Sequence, residues 1–261
     1  MSPIDDLVPF LKKLRLSGIL QTLELRSRQA VEDSLSHGEF LLRLLTDEVE
    51  RRDSKMLEQR IRRANFEHKK TLEDFDFHFN PAIPKARVID LATCGFVLQR
   101  RNVLLLGPSG VGKSHIAQAL GQRACLAGHK VLYITAHDML KQLRAARGDG
   151  SHERRLLRFT GPELLILDDL GLRVLSHEET IDLYDIIRLR YERASTIITS
   201  NRALEEWPAL FGDPLLSSAA LDRLLDDVHV LVIEGDSYRN PPPKKRQAKR
   251  KKRRTNSEVA T

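Results

Sequence analysis

The sequence predicts an α/β fold, a parallel sheet with helices on both faces, preceded by a small all-helical domain. Three observations predict it. From residue 100 onward, short apolar runs alternate with amphipathic helical stretches, the pattern of strand–helix–strand units. The glycine-rich stretch Gly107-Pro108-Ser109-Gly110-Val111-Gly112-Lys113-Ser114 lies between one such run and one such helix. Several of the runs end in polar residues, as strands do where a parallel sheet turns its carboxyl ends toward a ligand.

In chain order, residues 4–65 read as helical. Ile4, Leu7, Val8, Leu11 and Leu14 fall at helical spacing, and Gly18 then interrupts. Leu41, Leu44, Leu45, Val49, Met56, Leu57, Ile61 and Ala64 continue as a long amphipathic stripe. Its opposite face alternates in sign (Asp47, Glu50, Arg51, Glu58, Arg62), which suits a solvated or partner-binding helix. No heptad is sustained, so a coiled coil is not expected. The basic cluster Arg60, Arg62, Arg63, Lys69 and Lys70 fits a solvated helix end or a nucleic-acid contact.

Phe75-Asp76-Phe77-His78-Phe79 alternates with period two, which places the phenylalanines on one face of an extended segment. That face reads as a strap packing the linker on the core, or as a base-stacking platform. A helix over 85–93 should stop at Gly95. Strands are then expected at 103–106, 131–134, 164–168, 196–199 and 228–233, and helices at 113–126, 137–147, 178–192 and 215–226. The organisation is a helical N-terminal domain over 1–70, an α/β domain over 71–240, and a tail over 241–261.

Charge sharpens that division. The formal net charge is +7, yet residues 244–261 alone carry nine Lys/Arg against one Asp/Glu. The remainder is close to neutral, so the high isoelectric point describes the tail and not the body. Residues 241–254 have no apolar periodicity and are expected to be disordered. No apolar run approaches the roughly 18 residues that suggest a membrane span. The acidic start Met1-Ser2-Pro3-Ile4-Asp5-Asp6 does not resemble a secretory signal. Cys94 and Cys125 lack a second metal-ligand pair and read as packing thiols in a reducing, cytoplasmic setting.

The glycine-rich stretch has the P-loop spacing, Gly, four residues, Gly-Lys-Ser. Glycines there let several N–H groups turn inward to phosphate oxygens, and the following helix N-terminus adds positive potential. Lys113 is placed to reach the β- and γ-phosphates, and the Ser114 hydroxyl to ligate magnesium. Leu164-Leu165-Ile166-Leu167-Asp168-Asp169 is an apolar strand ending in two carboxylates, the Walker B form. Asp168 is the expected magnesium carboxylate, and Asp169 is expected to orient or deprotonate the attacking water. Adjacent residues on a strand point opposite ways, which sets Asp169 apart from Asp168. Asn201, after the buried run Ser195–Ser200, is placed to hydrogen-bond the γ-phosphate or that water, the sensor 1 role.

These motifs carry a resemblance. Residues from about 72 to 239 resemble the IstB-type ATPases that assist bacterial transposition, close to the DnaC/DnaI helicase loaders of the AAA+ superfamily. The match runs through Thr71–Phe77, Leu105–His115, Leu167–Gly171, Tyr191-Glu192-Arg193, Ser195–Asn201, Trp207, Phe211–Pro214, Leu221–Leu224 and Ser237-Tyr238-Arg239. Leu14–Gly18 in the helical segment is similar as well. The resemblance implies an ATPase using ATP and Mg2+, with a nucleotide contact extending to His115. It implies an oligomer with nucleotide between subunits, where an arginine from one subunit completes its neighbour's site. By motif position Arg223 is the candidate, with Arg239 behind it. A surface ion pair with Asp222, Asp226 or Asp227 is the alternative role for Arg223. After Tyr238-Arg239 the chain goes straight to prolines, so a C-terminal lid and its arginine are not assigned.

Lys141, Arg144, Arg147, Arg154, Arg155 and Arg158 flank a Gly148-Asp149-Gly150 break and either follow a DNA backbone or form a solvated face. The expected function is an ATP-dependent ATPase that assembles on double-stranded DNA and helps a transposase use its target. A helicase loader, a small-molecule phosphotransferase and a tail-driven DNA scaffold are the competing readings.

Overall fold

The computed structural model describes residues 3–235, 237 and 238. Arg239 and the basic tail lie outside the described residues. Three helices come first: α1 (Pro3–Lys13), α2 (Ser17–Glu32) and α3 (His37–Ala64). Arg15, with φ 57°, makes the turn between α1 and α2. Gly18 therefore does not interrupt a helix. It sits in the first turn of α2, where a Cβ would lie 2.6 Å from Glu48 Cα. Its amide donates to Glu48 Oε2 at 2.6 Å, and the Ile19 amide to the same oxygen at 3.3 Å. The glycine is there for a close helix–helix approach.

Ser36 opens α3 with a reciprocal capping box: Glu39 N–H donates to Ser36 Oγ, and Ser36 N–H to Glu39 Oε2. Asn65, at φ 59°, closes the 28-residue helix. The long apolar stripe is divided between two neighbourhoods. Leu44 joins Ile19 and Leu23 in a small cluster under α1 and α2. Leu57 and Ala64 pack with the core of the α/β body, and Leu41, Leu45, Val49 and Met56 stay exposed.

The segment 71–84 is a series of turns and not an extended strand, so the phenylalanines do not share a face. Phe75 and Phe77 pack edge to face at 4.8 Å on the body, as a strap, whereas Phe79 turns out to meet Tyr238. Helix α4 spans Lys85–Leu91. The left-handed residue beyond it is Cys94 (φ 62°), and Gly95 begins the short α5 (Gly95–Leu98).

The body then runs β1 (Val103–Leu106), α6 (Lys113–Leu126), β2 (Val131–Thr135), α7 (Ala136–Gly148), α8 (His152–Thr160), β3 (Leu164–Leu170) and α9 (His177–Arg190). It continues with β4 (Ser195–Ser200), a 3-10 turn at Leu204–Glu206, α10 (Trp207–Phe211), α11 (Pro214–Leu225) and β5 (His229–Val232). Helices α8 and α10 were not expected. Both are short, and they bury Phe159 on α8 and Trp207 and Phe211 on α10.

All strands pair in parallel, in the order β2-β3-β4-β1-β5. Alternate β1 residues enter different cores: Val103 and Leu105 face α6, and Leu104 and Leu106 face α7, α9 and α11. Coverage on both faces explains the unbroken apolar runs. At the amino end of the strands Arg190 is buried and donates to the carbonyls of Phe159, Pro162 and Ser195 and to Thr196 Oγ1. Burial pulls its pKa down to about 9, so it stays a cation at neutral pH.

Candidate functional site

The strand order brings the polar strand ends together. β1 lies between β4 and β5, so the loop leaving β1 emerges beside the end of β4, and Gly107 N–H donates to Ser200 O at 3.1 Å. Gly107 (φ 144°), Gly110 (φ 83°) and Gly112 (φ 102°) give the loop its turns. A Cβ on Gly107 would meet Ile233 O at 2.0 Å, and one on Gly112 would strike the Phe75 ring. Backbone freedom and close approach thus both require these glycines.

Beside the loop is a cavity of about 510 Å³, within the size range of small-molecule sites. Ser109–His115, Asp169 and Asn201 line it. Phe75, Phe79, Asn80, Ile83 and Tyr238 line it as well, with Phe75 against Gly112 and His115, and the Tyr238 amide donating to Gly110 O at 3.0 Å. Lys113 is almost wholly buried, and its ammonium donates to Gly107 O (2.8 Å), Pro108 O (2.8 Å) and Asn201 Oδ1 (2.6 Å). Asn201 and the P-loop lysine therefore share one wall. His115 turns its ring to the linker, donating from Nε2 to Thr71 O at 2.8 Å and lying edge-on to Phe75. Burial lowers its pKa, which keeps the imidazole neutral.

The two aspartates are separated by a β-bulge. Leu167 is in register with Ile198 and Leu170 with Ser200, so one residue is extra in β3, and Asp169 takes a left-handed φ of 55°. Strict alternation fails at this bulge. Asp169 lines the cavity. Asp168 is not among the lining residues; it is 3% exposed, accepting from Tyr133 Oη at 2.7 Å on Oδ2 and from Thr199 Oγ1 on Oδ1. The Tyr133 phenol is held protonated by burial first and by the carboxylate second, both of which raise its pKa.

Arg223 is not part of this cavity. It sits on α11 with its guanidinium 5.7 Å from the Tyr184 ring, donating to Ala219 O at 2.7 Å. Among the described residues it forms no ion pair: Asp226 accepts from Tyr191 and Asp227 pairs with Arg101. The surface ion-pair role is thus replaced by a stacking one. Of the basic residues near Gly148–Gly150, Lys141, Arg144, Arg154 and Arg158 are exposed on α7 and α8. Arg147 is instead engaged by the buried Asp182, which also meets His152 Nε2 at 2.9 Å. Arg155 and Arg158 donate to Gln142 Oε1.

Tyr133, Thr199 and the aromatic wall of the cavity escaped sequence reasoning. For Tyr133 the available signal was a lone phenol among the aliphatic residues of β2; Thr199 is one of four hydroxyl residues in β4, and nothing in its type singles it out.

A five-stranded parallel sheet with a P-loop after β1 and polar ends on β3 and β4 around one cavity defines a P-loop nucleotide-binding protein of the AAA+ type. Solved structures agree on the fold. The DnaC helicase loader superposes with a TM-score of 0.50 at 20% identity, covering 67% of this chain and 98% of that one. DnaI gives 0.54 at 21% identity over 63% and 91%. AMPPCP-bound DnaA from Aquifex aeolicus gives 0.55 at 23% over 66% and 52%.

The sequence is more specific. The profile of the IstB-like ATP binding protein family matches residues 10–248, and the chain belongs to that family. An insertion-sequence ATP-binding protein of Mycobacterium tuberculosis is 41% identical over 233 residues, 88% of this chain and 92% of its own. The IS21 ATP-binding protein of Pseudomonas aeruginosa is 38% identical over 236 residues, 90% and 89% of the two chains. Among the described residues no helix is long and apolar enough to cross a membrane.

Proposed function

We propose that this chain is a cytoplasmic ATPase that binds Mg-ATP at the P-loop, assembles on double-stranded DNA through its ATP sites, and assists a transposase in using its target. The observation that carries hydrolysis is the bulge at Asp168-Asp169. It brings the Asp169 carboxylate into the lining of the cavity that also holds the P-loop, Lys113 and Asn201. A carboxylate there orients water and takes its proton, and Asn201 supplies an amide to the γ-phosphate or to that water.

The donor set fits magnesium, a hard cation that prefers oxygen ligands and usually takes only one or two from protein. The Ser114 hydroxyl and the Asp168 carboxylate would hold it. When bound, it neutralises charge on the β- and γ-phosphate oxygens. The base of the nucleotide is assigned to the wall of Phe75, Phe79, Ile83 and Tyr238. Lys113 supplies a positive charge to the phosphates once its ammonium leaves the loop carbonyls.

Arg223 is assigned to a neighbouring subunit's site. It lies outside the cavity of its own chain, as a residue acting in trans must. The N-terminal unit, residues 1–70, is assigned to oligomerisation or partner binding. The exposed Leu7, Phe10, Leu41 and Leu45 support that assignment. For DNA, Lys141, Arg144 and Arg154 remain the candidate phosphate contacts, with Arg147 engaged by Asp182 and Arg155 and Arg158 by Gln142. The family match favours a transposition helper over a replicative helicase loader.

The test is ATP-dependent assembly on DNA, imaged beside DNA with ADP, together with phosphate release. The wild-type chain is expected to assemble only with ATP and to release phosphate faster with DNA. Lys113→Ala is expected to abolish both, and its retention of ATP-dependent assembly would overturn the mechanism. Arg223→Ala is expected to keep ATP binding and to lose hydrolysis by roughly 10³-fold or more.

A further inference from the structure

Three adjacent strands converge on one carboxylate. β3 carries Asp168, and the strands on either side of it, β2 and β4, each send a hydroxyl: Tyr133 Oη to Oδ2 at 2.7 Å and Thr199 Oγ1 to Oδ1. Both hydroxyl-bearing residues are buried, at 1% and 0% exposure. Tyr133 sits in the apolar core that faces α6, where a phenylalanine or leucine would fill much the same volume without a polar atom to satisfy. Burying a hydroxyl is unfavourable unless it is hydrogen-bonded, so the oxygen is explained by its polar partners, Asp168 first and Glu67 after it, and not by packing.

Thr199 does two things at once. Its oxygen donates to Asp168 and accepts the Asp169 amide at 2.9 Å, which pins the left-handed bulge residue. Each oxygen of Asp168 takes one hydroxyl and keeps a further acceptor site for a metal ion or its water.

We propose that Tyr133 and Thr199 are positioning residues that hold the Asp168 carboxylate, and through Thr199 the Asp169 backbone, in the orientation that receives magnesium with the nucleotide. This rests on the Mg-ATP reading of the site. Partners of this kind typically change metal affinity by about 10- to 100-fold when removed. Tyr133→Phe removes only the oxygen. Thr199→Val removes the hydroxyl at nearly constant shape, and Thr199→Ser restores it.

The experiment titrates magnesium into the full-length protein with a fluorescent, non-hydrolysable ATP analogue, and repeats the nucleotide titration in EDTA. Melting curves establish that each variant is folded. Tyr133→Phe and Thr199→Val are expected to need about 10- to 100-fold more magnesium for half-maximal tightening, with affinity in EDTA within about twofold of wild type. Thr199→Ser is expected to behave as wild type. Folded variants with the wild-type magnesium dependence overturn the positioning role, as does an equal loss of nucleotide binding with and without magnesium. If wild-type binding itself ignores magnesium, the metal reading fails first and the proposal with it. Should Tyr133→Phe not fold, the Val/Ser pair at Thr199 decides.

Discussion

The N-terminal helices and the α/β body are built to different standards. In the body, two continuous apolar cores sandwich the sheet, and residues such as Leu104, Leu105 and Ile166 are wholly buried. Among the described residues, the small apolar cluster under α1 and α2 holds three buried side chains, Ile19, Leu23 and Leu44. That region adds polar ties: Gly18 and Ile19 amides on Glu48, and Arg26 on Asp47. Burying a large aliphatic side chain contributes about 1.5–3 kcal/mol, so the helical part has far less to lose before it opens. Proteins open in such unequal units, and regions that meet partners come from the weaker end.

Breaking the body should therefore have the largest effect. Leu105→Ala empties a site between β1 and α6 and is expected to cost about 2–5 kcal/mol. Denaturant melts should show helix content and the emission of the single tryptophan, the buried Trp207, falling together at a lower midpoint.

Next in size is Gly18→Ala, whose Cβ meets backbone of α3 at 2.6 Å (Glu48 Cα) and 2.8 Å (Asp47 O). A clash with backbone relaxes only by moving a helix, at about 1–3 kcal/mol. Amide exchange should rise in α1, α2 and the first half of α3, with Trp207 emission and nucleotide binding unchanged. Equal loss in both regions would end the comparison.

Acid should separate them more gently. The Arg26 guanidinium holds the Asp47 carboxyl down at about 2, and Arg173 does the same for Glu179 in the body. A lowered folded-state pKa contributes stability that is complete above the ordinary carboxylate value of about 4 and is lost as pH falls through about 2. Between those limits both regions weaken, but the one with three buried apolar residues should open first. Helical circular dichroism is expected to fall before Trp207 emission shifts. The smallest effect belongs to Arg28→Ala, which removes an exposed pair with Glu24 and should change stability by about 0.5 kcal/mol or less.

Legibility in the sequence follows the same divide. Each strand of the body lies within a residue or two of its expected place, because fully buried strands are written as unbroken apolar runs ending in polar residues. The P-loop, Asp168, Asp169 and Asn201 follow from where those runs end. What stayed hidden is geometry set by neighbours. The bulge that turns Asp169 has no residue signature, since an aspartate and not a glycine takes the left-handed position. Cys94 does the same ahead of Gly95. The phenylalanines of 75–79 alternate in sequence but fold as turns, because Asp76 accepts from the amides of His78 and Phe79. Gly18 reads as a breaker from its type alone, and only the position of Glu48 shows that it serves contact.

The long helix α3 belongs to both regions, with Leu44 in the small cluster and Ala64 in the body's core. Beyond its end the chain wraps α6, where the His68 amide donates to Gln118 and Thr71 O accepts from His115, next to the P-loop serine. At 28 residues the helix is a rod about 42 Å long. A tilt of about 5° at the nucleotide end swings the far end by roughly 4 Å. One rigid element thus joins the surroundings of the phosphate-binding helix to the exposed Leu41, Leu42 and Leu45.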